Sequence, residues 1–141
     1  MYFDTSYVIK FYLNEPESLK IRQMVQSAGV IRSSAWTLSE FHAALHRNVR
    51  EGLLQAQEAR AVSRDFFEHL ERGVWELTPV NRHLLDRVSA RLLSAPKDLF
   101  LRAGDAVHLT TAADLGEPEV WSSDRHMLAA ASYFGVTGRT V

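Results

Sequence analysis

Residues 1–13 read MYFDTSYVIKFYL, and the architecture turns on how they are divided. Tyr2-Phe3 is a short apolar run that breaks at once into Asp4, Thr5 and Ser6, after which apolar residues recur from Tyr7 to Leu13 at helical spacing. That is a buried strand, a polar turn at its carboxyl end, and a helix. The same unit repeats down the chain. Pro16 interrupts, and Leu19, Met24, Val25 and Ala28 continue a helical face until Gly29. Val30-Ile31 then starts a second strand that ends at Ser33-Ser34. Thr37 is the expected N-cap of a helix to about Arg50, and a further helix runs from about Ala56 to Arg72. Trp75 to Leu77 reads as the third strand, and Asn81 caps the next helix, which carries Leu84, Leu85, Val88 and Leu92. A helix from about Ala103 to Leu115 precedes Val120-Trp121, the fourth strand, which ends at Ser122-Ser123-Asp124. A last helix over Arg125 to Tyr133 and an edge strand at Gly135-Val136-Thr137 complete the pattern. Short apolar strands alternating with helices predict one α/β domain over residues 1–141, its parallel sheet covered on both faces.

Composition narrows the function classes. A chain of 141 residues buries roughly two-thirds of its extended surface, so its core needs no covalent staples. The absence of cysteine excludes disulfide scaffolds, thiolate zinc sites, iron–sulfur clusters and cysteine nucleophiles. With 16 basic against 17 acidic residues, nucleic-acid affinity has to come from a local patch rather than from overall charge. No apolar segment is long enough to span a bilayer, and Asp4 within the first apolar run is unlike a signal peptide, so the expected location is the cytoplasm. No GKS or GKT loop, no GxGxxG after the first strand and no GxSxG elbow is present, which argues against triphosphate cradling, dinucleotide binding and serine hydrolysis.

The chemistry lies in where four acids fall. Asp4 and Asp124 each follow a strand directly, at the sheet edge where open α/β folds bind ligands. Glu40 and Asp105 sit near helix starts, where the helix dipole favours negative charge. Each acid also has a structural reading. Asp4 would cap a turn, Glu40 would close a capping box with Thr37, and Asp105 and Asp124 would be N-caps or first-turn acids. Carboxylates crowded on one rim repel one another unless a cation neutralises them, and an all-oxygen donor set suits Mg²⁺ or Mn²⁺. Such an ion in water-activating contact with a phosphate is the chemistry of phosphodiester hydrolysis. Ser6 and Ser122 stand next to the proposed site and would orient water or a carboxylate, or else simply form turns. Arg102 is a candidate phosphate contact or a structural arginine, and His108 reads as a buried, satisfied histidine more readily than as a ligand. The HAALH segment at His42–His46 lacks the glutamate of a zinc-protease helix. Arg47 and Arg50, with Arg60 and Arg64 on the next helix, would form a positive face for a ribose-phosphate chain, or else are ordinary exposed helix charges.

Asp4-Thr5-Ser6 after the first strand, Glu40, Gly104-Asp105-Ala106-Val107-His108-Leu109 and Ser122-Ser123-Asp124, in this order and spacing, resemble the PIN-domain family. Within it they are most similar to the VapC-type ribonuclease toxins of toxin–antitoxin pairs, over essentially the whole chain. The resemblance implies a three-layer α/β/α fold whose central parallel sheet has about five strands ordered 3-2-1-4-5. It implies that Asp4, Glu40, Asp105 and Asp124 hold one or two Mg²⁺ or Mn²⁺ ions, supported by Ser6 and Ser122. It further implies metal-dependent endoribonuclease activity on RNA such as transfer or ribosomal RNA, a VapB-like antitoxin partner and a homodimer. Phe11, Tyr12 and Phe66-Phe67 are candidate contact residues, with buried packing the plainer reading for most of them. Gly104 departs from good helix propensity just before Asp105, which predicts a shifted or more mobile helix start. The rival reading is a non-catalytic RNA-binding PIN-like module; a phosphatase of the haloacid dehalogenase kind lacks its second aspartate, since Ser6 stands there.

Overall fold

The computed structural model describes residues 1–141. Strand β1 (Tyr2–Phe3) leads into helix α1 (Thr5–Tyr12) and α2 (Ser18–Ser27), followed by β2 (Ile31–Ser34), α3 (Thr37–Arg50) and α4 (Ala56–Glu71). Then come β3 (Trp75–Thr78), α5 (Arg82–Leu93), α6 (Ala103–Asp114), β4 (Glu119–Trp121), α7 (Arg125–Ala130) and β5 (Thr137–Arg139). The five strands form one parallel sheet ordered β3-β2-β1-β4-β5. This is the expected three-layer arrangement, with β1 and β4 side by side at its centre.

The two residues of β1 account for the layering. Successive strand side chains point to opposite faces, so Tyr2 enters the core formed with α5, α6 and α7, beside Leu84, Val107, Leu109 and Met127. Phe3 enters the core formed with α1 to α4, beside Tyr7, Ile21, Phe41 and Trp75. Phe66 stacks on Phe41 with ring centroids 4.2 Å apart and is fully buried, whereas its neighbour Phe67 is half exposed. The register pairs Tyr2 with Val120 and Phe3 with Trp121, which sets the residues after β1 and after β4 next to one another. Helix α6 buries every residue from Asp105 to Ala112, so it is wedged within the domain rather than lying on its surface.

Four expectations shift. Helix α1 starts at Thr5 rather than Tyr7, because Asp4 caps it by accepting from the Tyr7 amide; Thr5 and Ser6 therefore form a helical first turn. Helix α3 begins after Trp36, and Thr37 caps nothing. The last helix ends at Ala130 and tightens into a 3₁₀ turn over Ala131–Phe134, closed by Gly135 at φ 78°. That left-handed turn, with Val136 drawn into the core, displaces the edge strand to Thr137–Arg139.

Candidate active site

Asp4 leaves β1 in extended conformation and is 5% exposed. Its Oδ1 accepts from Ser6 Oγ at 2.6 Å and from the Tyr7 amide at 3.1 Å, and its Oδ2 accepts from Ser122 Oγ at 2.6 Å. All three donors are neutral. Burial pushes the Asp4 carboxyl above the ordinary aspartate value, and nearby His108 and the hydroxyl and amide donors only partly oppose that. The two serines do a second job. Ser6 Oγ accepts from the Ser123 amide at 2.9 Å, and Ser122 Oγ accepts from the Asp124 amide at 2.8 Å. Each hydroxyl thus binds the carboxylate and pins the loop after β4 to the end of β1. Ser122 is fully buried behind Asp4, while Ser6 faces the cavity.

Glu40 points away from the backbone of its own helix. Its Oε2 accepts from Thr5 Oγ1 at 2.5 Å and from His108 Nε2 at 3.0 Å. Burial pushes this carboxyl up, but the His108 and Thr5 hydrogen bonds and the charge interaction with His108 outweigh it and hold Glu40 below the usual glutamate value. The capping box with Thr37 is not formed; Thr37 Oγ1 lies 2.9 Å from Ser33 Oγ and 3.2 Å from Thr5 Oγ1, in a buried hydroxyl cluster between β1 and β2. His108 is 2% exposed, with Nδ1 3.0 Å from the Tyr2 hydroxyl. The bonds close when the Tyr2 O–H donates to Nδ1 and Nε2–H donates to Glu40. His108 is therefore the satisfied buried histidine that its apolar neighbours suggested, and it also positions Glu40.

Arg102 joins the remaining two acids. Its Nε donates to Asp105 Oδ2 at 2.9 Å and its Nη2 to Asp105 Oδ1 at 3.1 Å, and Nη2 also reaches Asp124 Oδ2. Both acids also serve their helices. The Arg102 amide reaches Asp105 Oδ2 at 3.3 Å, and Asp124 Oδ1 caps α7 by accepting from the His126 and Met127 amides. Burial raises Asp124, but the Arg102 hydrogen bond and the two amides bring its carboxyl below the ordinary range.

Asp4, Glu40, Asp105 and Asp124 all line one open cavity of about 870 Å³, together with Ser6, Lys10, Trp36, Arg47, Arg102 and His108. Lys10 is paired with Glu15 and Glu17, whereas Arg47 has no ion-pair partner. Arg50 is paired with Glu51 on the surface, and Arg60 and Arg64 lie outside the cavity lining. Sequence reasoning missed Thr5, Tyr2 and Trp36. The polar Asp4-Thr5-Ser6 turn was a signal for the first, but nothing local marks the other two.

No three carboxylate or imidazole groups converge into a ready cation cage. The chemistry of the donors nevertheless fits a hard divalent ion. Every candidate ligand is a carboxylate oxygen, Asp4 is a buried carboxylate with only neutral direct donors, and a guanidinium already bridges Asp105 and Asp124 as a cation of the chain's own.

A family model described as PIN domain matches residues 1–132. Among solved structures the chain is similar to Mycobacterium tuberculosis VapC20, described as a sarcin-ricin loop cleaving toxin, with a TM-score of 0.72 and 17% sequence identity over 92% of this chain and 93% of that one. At that identity the likeness establishes shared fold. A search of curated proteins returns no match.

Proposed function

The chain belongs to the PIN-domain family, and from that premise we propose that it is a Mg²⁺- or Mn²⁺-dependent endoribonuclease. We further propose that it is the toxin of a toxin–antitoxin pair, acting on RNA such as transfer or ribosomal RNA to inhibit translation. A VapB-like antitoxin, a homodimer and a cytoplasmic location belong to the same reading. No helix is long and apolar enough to cross a membrane.

One observation carries the proposal: four acids from β1, α3, α6 and the end of β4 line a single cavity, and the most buried of them, Asp4, lacks a directly bonded cation. Asp4 and Asp105, with Glu40 and Asp124 beside them, are the ligands assigned to a divalent ion, which when bound neutralises crowded carboxylates and acidifies water. The chain's own residues do the rest. Ser6 and Ser122 fix both oxygens of Asp4, Thr5 and His108 hold Glu40, and Arg102 spaces Asp105 from Asp124. Arg47, the unpaired cation in the cavity, is positioned to meet substrate phosphate. The overall reaction adds water across a P–O3′ bond, with oxygen going to phosphorus and a proton to the departing 3′ oxygen, leaving 5′-phosphate and 3′-hydroxyl ends.

The test is incubation of total RNA with the purified protein and Mg²⁺ or Mn²⁺, beside EDTA and Asp4→Asn controls. Discrete fragments that disappear in both controls are expected, and their ends identify the target. The Arg102 bridge, which occupies two of the four acids, favours a second reading, a non-catalytic RNA-binding module. Folded, antitoxin-free protein that binds RNA without cutting it would establish that alternative.

A further inference from the structure

Residues 99–101 alternate in burial: Leu99 and Leu101 pack against the core, and Phe100 between them is 55% exposed. A single exposed phenylalanine is ordinary on its own. This one is framed on two sides. The His126 ring lies 4.3 Å away at an interplanar angle of 41°, and the Arg102 guanidinium carbon stands 6.0 Å from the ring centroid. Arg125, exposed and without an ion-pair partner, directs its Nε at His126 Nε2, 3.4 Å away. The group is continuous with the acids, because Arg102 bridges Asp105 and Asp124 and the His126 amide is bonded to Asp124.

We infer that Phe100, flanked by His126 and Arg102, is a stacking platform for an unpaired nucleobase of the RNA, next to the phosphate in the acid cavity. This rests on the endoribonuclease reading and specifies which form of RNA the site accepts. An aromatic face takes any base, and a nearby unpaired cation accepts a neighbouring phosphate, which is how single-stranded nucleic acid is gripped without sequence readout. Arg125 supplies that charge, exposed, without an ion-pair partner and beside His126. A paired base presents no free face, so the platform selects loops and single strands over duplex.

The test measures binding in an Asp4→Asn background with Mg²⁺, so that cleavage does not intervene. The probes are a short single-stranded RNA, the same RNA annealed to its complement, and a ribose-phosphate oligomer of equal length without bases. The single strand is expected to bind about 5- to 100-fold more tightly than the abasic oligomer. Phe100→Ala is expected to remove that preference, leaving abasic binding unchanged, and Phe100→Tyr to keep it. With Asp4 intact, Phe100→Ala raises KM and leaves kcat in place. If the single strand and the abasic oligomer bind equally, or if Phe100→Ala keeps the preference, the platform is wrong while RNA cleavage by the native protein still upholds the nuclease. If neither RNA nor abasic oligomer binds and native protein cuts nothing, the nuclease reading falls and takes the platform with it.

Discussion

Glu40 Oε1 occupies the space that a side chain at Gly104 would need: a Cβ built there would stand 2.6 Å from that oxygen and 3.2 Å from Trp36 Nε1. Gly104 is thus explained by packing across two helices, not by backbone conformation. It lets the start of α6 approach α3 closely enough for His108, one turn further on, to bond Glu40.

Gly104→Ala is therefore expected to separate stability from function. The clashing atom is the end of a flexible side chain, so the fold yields easily, and alanine gains up to about 1 kcal/mol in helix propensity. The displaced Glu40 carboxylate lowers RNA cleavage by about tenfold or more, the scale of a misplaced catalytic group. Thermal melting beside a cleavage assay checks this; loss of stability with full activity would contradict it.

The burial of Asp4 fixes the sign of a pH effect in the metal-free protein. Its folded carboxyl titrates above the ordinary aspartate value, so the folded state holds more protons than the unfolded one between those two values. Stability falls as pH rises through that window. Asp4→Asn removes this dependence, and its Tm at neutral pH is expected to exceed that of the native protein by about 2–4 °C per kcal/mol of relieved burial. The advantage disappears below the ordinary aspartate value. Melts across a pH series, with EDTA, measure it.

Arg102 competes for the same carboxylates as a divalent ion. Arg102→Ala is expected to tighten Mn²⁺ binding on the order of fivefold, the equivalent of a partly exposed ion pair. The same variant melts lower without metal, because Asp105 and Asp124 lose their shared cation, and added Mg²⁺ or Mn²⁺ restores it. Calorimetric titration with Mn²⁺ and melting with and without metal test both halves.

His108→Ala leaves a cavity and strips Tyr2 and Glu40 of a buried partner. The expected loss is about 2–4 kcal/mol, from cavity formation and an unsatisfied hydroxyl together. Glu40 also loses the group that holds its carboxyl low, so its titration moves upward. Denaturant unfolding gives the first quantity, and carboxyl NMR gives the second.

What the sequence disclosed was local. Tyr2-Phe3 against the helical spacing that follows, and Val120-Trp121 before Ser122, identified the strands that flank the site, and the acids followed from their ends. Strand order came from the resemblance, since two-residue strands carry no pairing information of their own. Thr37 misled because its spacing to Glu40 is that of a capping box, and the partners that claim Glu40 instead, Thr5 and His108, are 35 and 68 residues away in the chain. Asp124 is both an N-cap and a cavity-lining acid, so its two readings were never exclusive. Gly104 looked like a weak helix start because propensity is a property of one helix, whereas its reason lies on another.

The bond from Ser122 to Asp4 closes a span of 118 residues. During synthesis Asp4 emerges before β4 with Ser6 beside it, and it gains Ser122 and the acid Asp124 only when β4 inserts beside β1. Both oxygens of Asp4 are therefore held only after the two ends of this span have met, and the four acids come to line one cavity at that step. The central strand, only two residues long, thus takes its place in the site from its pairing with β4 across the same span of chain, so whatever frees β4 from β1 dismantles the cavity.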